Sequence, residues 1–344
     1  MALLPNTTLQ FYENYRVHFS DYVDAAKQAK AAVAELLKGS VQGVQGVEAR
    51  AKHPHSLLGK LRQNVYTNPA AELTDLVGVR VITQYPDHAE QAASVIRPEF
   101  QIDEEQSSDK LDDLNPETFG YRSIHLVARQ HENDAAIRQA LGNMWFEVQV
   151  RSVLQHAWAE VDHDIKYKSG VNFPRTLRRR LAAIAGGLET LDQAFIDMRG
   201  TRDTLIAGYR EAYTKGDDME EVFDSARLVA FLDVRWPEGA SLLEAGAVVP
   251  GLTGSIEKVI NDALETVGVT TGKLLDDALN VPETKRLLKE HASAIGESPQ
   301  TLSHLIVCLI VVWTQNADTL NKQFPELRFD SDLATTLGFE IGSA

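Results

Sequence analysis

From Arg50 to about Lys168 the chain interleaves short β-branched runs with helical stretches, and from Pro174 onward it reads almost wholly helical. The β-branched runs are residues 76–82, 124–127 and 146–150; helical patterns lie around 56–62, 87–97 and 154–165. Short strands cannot stand alone, because their backbone N–H and C=O groups need partners, so strands alternating with helices point to one shared sheet. The pattern predicts an α/β (α+β) fold, a mixed β-sheet flanked by helices over residues 45–215, followed by an all-helical domain over 216–344. Residues 1–44 read as an N-terminal helical segment. Phe11, Tyr15, Phe19, Tyr22 and Val23 recur at helical spacing, Lys38-Gly39-Ser40 is a stop signal, and Gly43 and Gly46 mark a loop.

Composition narrows the classes. In 344 residues, 34 basic side chains face 49 acidic ones, a net charge of −15, which argues against duplex binding by the whole surface. Cys308 is the single cysteine, so neither an internal disulfide nor a Cys-rich zinc site can form. No stretch approaches the roughly 18 apolar residues of a membrane helix; the apolar segment 305–313 reads as a buried helix. The first residues lack the basic-then-apolar order of a signal peptide, and the expectation is a cytoplasmic protein with no membrane partner.

In Phe146-Glu147-Val148-Gln149-Val150, strand alternation puts the three apolar side chains on one face and Glu147 and Gln149 on the other, with Arg151 following. That second face is either a solvated surface or a ligand surface. The next helix has a stripe of Leu154, Trp158, Val161 and Ile165, and carries His156 and His163 elsewhere. Seven residues apart, these histidines do not match the i, i+4 spacing of a helical metal pair, which favours hydrogen bonding to phosphate or backbone. Gly120-Tyr121-Arg122-Ser123-Ile124-His125 offers a ring for stacking and donors for phosphate, or a packed tyrosine beside a turn. Arg50, Lys52 and Lys60 gather positive charge around His53-Pro54, with Ser56 placed to cap the helix that follows. This is either a polyphosphate site at a helix N-terminus or a solvated basic helix. Asp75, at the start of a strand, suits a Mg²⁺ ligand or a turn.

Taken in order, Arg50-Ala51-Lys52…Ser56…Lys60-Leu61, Thr74-Asp75-Leu76-Val77-Gly78-Val79-Arg80, Gly120–His125 and Phe146–Ser152 with His156-Ala157-Trp158-Ala159-Glu160 resemble the synthetase domain of the RelA/SpoT family, the alarmone pyrophosphokinases. The resemblance covers about residues 45–200 and is to small single-function or toxin-like synthetases, without a hydrolase domain. It implies a nucleotidyltransferase-like synthetase fold and transfer of the β,γ-diphosphate of ATP to a ribose 3′-hydroxyl, most often that of GDP or GTP to give (p)ppGpp. It also implies that Arg50, Lys52, Ser56, Lys60 and Arg80 hold ATP, and that Asp75 and Glu147 carry the chemistry and bind Mg²⁺. Tyr121 would stack on the acceptor base, and Arg122, His125, Gln149, Arg151 and His156 would contact acceptor phosphate or ribose.

Two positions depart from that pattern. Glu117 stands where the family has lysine and Phe119 where it has asparagine, which removes a cation and a base-edge donor from the acceptor side. Toxin-like relatives use adenine nucleotides or the 3′ CCA end of tRNA, and Arg175, Arg178, Arg179 and Arg180 offer a grip on an RNA backbone, a surface for nearby acids, or a solvated face. A catalytically inactive nucleotide-binding module is the third alternative. Residues 216–344 hold no catalytic motif; Gly268-Val269-Thr270-Thr271-Gly272-Lys273-Leu274 imitates a phosphate loop but has one residue too few between its glycines and no Ser or Thr after the lysine. This region reads as a regulatory or oligomerisation domain, serving a homo-oligomer or a regulatory partner.

Overall fold

A computed structural model of the protein describes residues 4–109, 123–130, 144–169, 174–239, 256–296 and, with short gaps, 298–315. It separates into two compact units, Met1–Asp197 and Met198–Ala344.

The first unit is built on a mixed six-stranded sheet. Its strands are β1 (Val44–Ala51), β2 (Val77–Thr83), β3 (Gln101–Ile102), β4 (Ser108–Asp109), β5 (Ile124–Arg129) and β6 (Phe146–Ser152). The order is β1-β2-β6-β5-β3, with β4 also on β5. Among the described residues only β2 and β6 run parallel; the other pairs are antiparallel. Val77, Val79, Val81, Phe146, Val148 and Val150 point to one face and are buried. Helices α2 (Phe19–Leu37) and α5 (Pro86–Ile96) cover that face through Ala25, Ala26, Ala29, Val33, Ala89, Ala92, Ala93 and Ile96. The alanines let helix backbones approach the valine layer closely. A second small core joins α1 (Asn6–Val17), α3 (Pro54–Gln63) and α4 (Pro69–Glu72) around Tyr15, Leu57, Leu61, Leu73 and Leu76. Helix α6 (Val153–Ser169) follows β6 directly, and its Trp158 packs with Leu181 and Ala185 of α7 (Arg175–Lys215).

Three local expectations are corrected. The N-terminal helix is interrupted at His18, where the ring Nδ1 pairs with the Asn14 carbonyl and the backbone leaves helical geometry. The stretch after Gly43, read as a loop, is the edge strand β1; Gly43 turns with φ +69°, and Gly46 sits at a register irregularity in β1. Ser56 is not a cap. Helix α3 begins at Pro54, and the His53 ring accepts a hydrogen bond from the His55 N–H.

The second unit is mainly helical in its described residues, with one isolated bridge between Val222 and Thr271. Helices α8 (Ser225–Arg235), α9 (Ile256–Thr266), α10 (Gly272–Asn280) and α11 (Pro282–Ile295) enclose Leu228, Phe231, Leu232, Ile260, Leu264 and Leu275. Residues 307–312 are buried in the same core, as the apolar run 305–313 predicts. The imitation phosphate loop is a turn at Gly268 followed by a cap, in which Thr271 accepts from the Leu274 N–H. No described helix is long and apolar enough to cross a membrane. The expected boundary at 215/216 coincides with the end of α7, whereas the compact units part within that helix.

Candidate active site

The sheet face opposite α2 and α5 carries the charged and polar residues. Cross-strand register sets out two rows: Glu48, Arg80, Gln149 and His125 in one, and Arg50, Gly78 and Glu147 in the other. Period-two alternation puts the valines of β2 and β6 in the core and these residues on the far side. Gly78, lacking a Cβ between Arg50 and Glu147, leaves the floor open; a Cβ there would meet nothing within 4 Å. Above it lies a cleft of about 360 Å³, lined among others by Arg50, Lys52, Ser56, Asp75, Arg80, Glu147 and Gln149.

Asp75, just ahead of β2, organises the cations. Its Oδ2 accepts from Lys52 Nζ at 2.7 Å and from Lys60 Nζ at 2.8 Å. Burial pushes this carboxyl up, but the hydrogen bonds and charges of the two lysines outweigh it and hold the group below the usual carboxylate range. The lysines come from different places, Lys52 just past β1 and Lys60 in the last turn of α3. Lys52 thus stands just ahead of the N-terminus of α3, whereas Lys60 reaches Asp75 from the helix's other end. Lys52 is fixed further by Tyr15 of α1, whose hydroxyl donates to the Lys52 carbonyl at 2.5 Å.

Glu147 is the sink of a one-directional hydrogen-bond chain. His125 Nδ1 lies 2.7 Å from Oε1 and Gln149 Nε2 donates to Oε2 at 3.0 Å. Behind them, Ser123 Oγ meets His125 Nε2 at 2.7 Å and Arg151 donates to the Gln149 amide oxygen. A carboxylate accepts only, so Nδ1 of His125 bears the proton and Nε2 receives from Ser123 in the neutral ring. Burial raises the Glu147 carboxyl, and the His125 and Gln149 bonds more than offset this, while the nearby Asp75 charge opposes them. Arg151 is pushed down to about 10, chiefly by burial and then by the positive charge of Arg80. It remains charged at neutral pH. Arg80 itself pairs with Glu160 of α6 at 3.0 Å and with Glu48 at 3.5 Å.

Most of the residues singled out from the sequence therefore converge. Arg50, Lys52, Ser56, Asp75, Arg80, Glu147 and Gln149 line the cleft, Lys60 reaches it through Asp75, and His125 and Arg151 stand one hydrogen bond behind. His156, on α6, is not part of the lining. Tyr121 and Arg122 lie outside the described residues, as do Glu117 and Phe119. Arg175, Arg178, Arg179 and Arg180 are exposed. Sequence reasoning missed Glu48, His53 and Tyr15. Recognising β1 as a strand would have found Glu48, which alternates with Arg50.

The donor set suits a divalent cation. Asp75 Oδ1 is buried without a hydrogen-bond partner, and both carboxylates border one cleft. No group of three or more His, Cys, Asp or Glu gathers among the described residues. Mg²⁺ takes one or two carboxylates and completes its shell with phosphate oxygens and water, so Asp75 and Glu147 are the residues that would hold it.

Residues 49–172 match the family model described as the region found in RelA / SpoT proteins. The stretch from Arg50 through α6 falls within this region. GTP pyrophosphokinase YjbM of Bacillus subtilis (strain 168) is 24% identical over 161 residues, which is 46% of this chain and 72% of that protein. GTP pyrophosphokinase YwaC of the same organism is 23% identical over 160 residues, 45% and 74% of the two chains. Among solved structures, that of the small alarmone synthetase 1 from Bacillus subtilis is 22% identical, with a TM-score of 0.46, and covers 55% of this chain and 97% of its own.

Proposed function

We propose that the chain transfers the β,γ-diphosphate of ATP to the ribose 3′-hydroxyl of GDP or GTP, as an alarmone synthetase. The observation that carries this reading is the meeting of Asp75 and Glu147, distant in sequence, in one cleft walled by Arg50, Lys52 and Arg80. The matched RelA/SpoT region and relatives named GTP pyrophosphokinases support the same reaction.

In that reaction the acceptor 3′-oxygen attacks the β-phosphorus, the bond from that phosphorus to the α-bridging oxygen breaks, and AMP leaves. Charge builds on phosphoryl oxygens, so positioning and electrostatics do most of the work. Arg50, Lys52, Lys60 and Arg80 supply positive charge to the triphosphate. Glu147 receives the hydrogen bond of the 3′-hydroxyl, orients its lone pair toward phosphorus and takes up the proton as the new P–O bond forms, passing it to solvent; held below the usual range by His125 and Gln149, it is a weak base and acts mainly by orientation. Asp75 and Glu147 would hold Mg²⁺, which when bound supplies charge neutralisation on the phosphates.

The test is γ-labelled ATP with Mg²⁺ and, separately, GDP, GTP, AMP, ATP or deacylated tRNA. Label should appear on the guanosine nucleotides with AMP released in equal amount. Label confined to adenine nucleotides or tRNA, the outcome that Glu117 and Phe119 would favour, overturns the guanosine acceptor; no transfer to any acceptor, with ATP still bound, overturns the enzyme.

A further inference from the structure

One residue of the cleft wall has no part in the motifs or in the reaction as described above, namely His53. It stands between Lys52 and Pro54, just ahead of α3, and its ring Nδ1 accepts the His55 N–H at 3.2 Å. The start of a helix is usually served by Asn, Asp or Ser, whose short side chains place an oxygen there. Histidine lies outside that preferred set. What it adds at this position is a second nitrogen.

The first nitrogen decides the state of the second. An N–H pointing at Nδ1 requires a lone pair there, so in the neutral ring the proton sits on Nε2. The two nitrogens of an imidazole point in divergent directions. With Nδ1 turned to the backbone of α3, Nε2 is aimed away from it. The ring is also held by Phe19 of α2, with ring centroids 6.1 Å apart and planes at 77°. Among the described residues Nε2 has no partner. His53 thus presents a hydrogen-bond donor of fixed tautomer, and its partner has to be an acceptor.

The neighbouring charges select that acceptor. Lys52 and Lys60 share one oxygen of Asp75, so the three groups together keep a positive charge. Arg80 is paired with Glu160. His53 follows Lys52 directly in the chain, and both line the cleft together with Ser56. An anion rich in oxygen acceptors fits this wall, and a polyphosphate is such an anion. An ammonium group attracts phosphate as a point charge, whereas an N–H on a ring held from two sides selects which oxygen it meets.

We propose that His53 is a further binding residue for the diphosphate donor, its neutral ring giving the Nε2–H to a non-bridging oxygen of the triphosphate beside Lys52. This rests on the reading of the cleft as the site of a diphosphate donor. It makes His53 a contact of the phosphates, separate from the base and from the acceptor.

His53→Asn separates the two nitrogens. Asparagine Oδ1 takes over the His55 N–H and is a strong helix cap, while the Nε2 donor is lost, so the melting temperature should hold or rise. Calorimetry on the full chain with Mg²⁺ should then show ATP and inorganic tripolyphosphate each binding roughly tenfold more weakly than to the parent. AMP and GDP should keep their parent affinities. In the parent, ¹⁵N spectra of the histidine rings, with the His53 signals assigned by their loss in His53→Asn, should show the proton on Nε2. Its resonance should move when tripolyphosphate is added and stay put with AMP. A variant that binds ATP and tripolyphosphate as tightly as the parent overturns the role of His53. So does a proton found on Nδ1, or a loss of affinity accompanied by a fall in melting temperature. Weakening of GDP in place of ATP overturns the assignment to the donor. A parent chain that binds neither ATP nor tripolyphosphate overturns the reading of the cleft itself, and the role of His53 with it.

Discussion

The unit Met1–Asp197 buries charge, whereas the unit Met198–Ala344 buries mainly hydrocarbon. In the first, Asp75, Glu147 and Arg151 are wholly or mostly removed from water, each tied into hydrogen bonds. In the second, Leu228, Leu232, Ile260, Leu275, Val307 and Val311 are fully buried, and the buried His304 pairs through Nε2 with the Trp236 carbonyl. Burying an ionised group costs free energy that packing does not return, so charges kept out of water in a chain free to use valine instead mark a place where preorganised electrostatics matter. The apolar unit needs no such explanation. Its core is what a helical domain requires to hold together.

The sharpest way to break this contrast is Glu147→Gln. If the charged network of the first unit serves chemistry, diphosphate transfer should fall by roughly 10²- to 10⁴-fold while ATP affinity and melting temperature are nearly kept. Label transfer against nucleotide-binding calorimetry separates the two quantities. An active variant would remove Glu147 from the reaction. The complementary change in the second unit is Ile260→Ala, which empties part of a fully buried site and should cost about 2–5 kcal/mol. Amide exchange should speed up across α8 and α9 and stay slow across β2 and β6. Equal loss of protection in both units would show that they do not unfold separately.

How much of this was legible beforehand follows the same division. Alternation in 146–150 correctly put Glu147 and Gln149 opposite a buried valine face, because a strand buried on one side must show its pattern. Motif spacing was enough to nominate Asp75, Lys52 and Lys60. What it could not supply was the arrangement. Asp75 gathers two lysines by direct contact, and no periodicity encodes a contact between residues 15 and 23 positions apart. Strand β1 was hidden because it is an edge strand, with partly exposed side chains and a glycine at its irregularity. Tyr15 read as one member of an apolar helix stripe; its hydroxyl contact with Lys52 depends on how α1 meets β1, which only the tertiary fold decides.

A smaller effect distinguishes charge that serves chemistry from charge that merely costs stability. Asp192 of α7 is buried, accepts from Ser152 Oγ at 2.8 Å, and is pushed up to about 6 by burial. Its folded form thus holds a proton that the unfolded chain releases at about pH 4. Between roughly pH 4 and 6 stability should fall as pH rises, by about 1–2 kcal/mol, and then level off. Asp192→Asn removes this decline. Urea unfolding at pH 5 and pH 7 should therefore show the variant gaining on the parent at the higher pH, with transfer activity unchanged. A parallel pH dependence in the two proteins would mean that Asp192 is ionised in the fold throughout.

The smallest expected effect tests how far the network of the first unit reaches. Tyr15 is fully buried, and burial, followed by the neighbouring Tyr22 and Asp75, raises its hydroxyl above the ordinary tyrosine range. It therefore acts as a neutral donor, holding the Lys52 carbonyl while the Lys52 ammonium holds Asp75. Tyr15→Phe keeps the ring among Leu57, Leu61, Leu73 and Leu76 and deletes only the donor. A lost neutral hydrogen bond of this kind costs about 1 kcal/mol of stability. If its role is purely structural, the ATP KM stays put and only the melting temperature drops. If it fixes Lys52 for the triphosphate, KM rises a few-fold with kcat nearly constant, because the variant loosens a group that grips ATP in the ground state and the transition state alike. The second result is expected, since Lys52 follows β1 directly and the Tyr15 bond anchors its carbonyl ahead of α3.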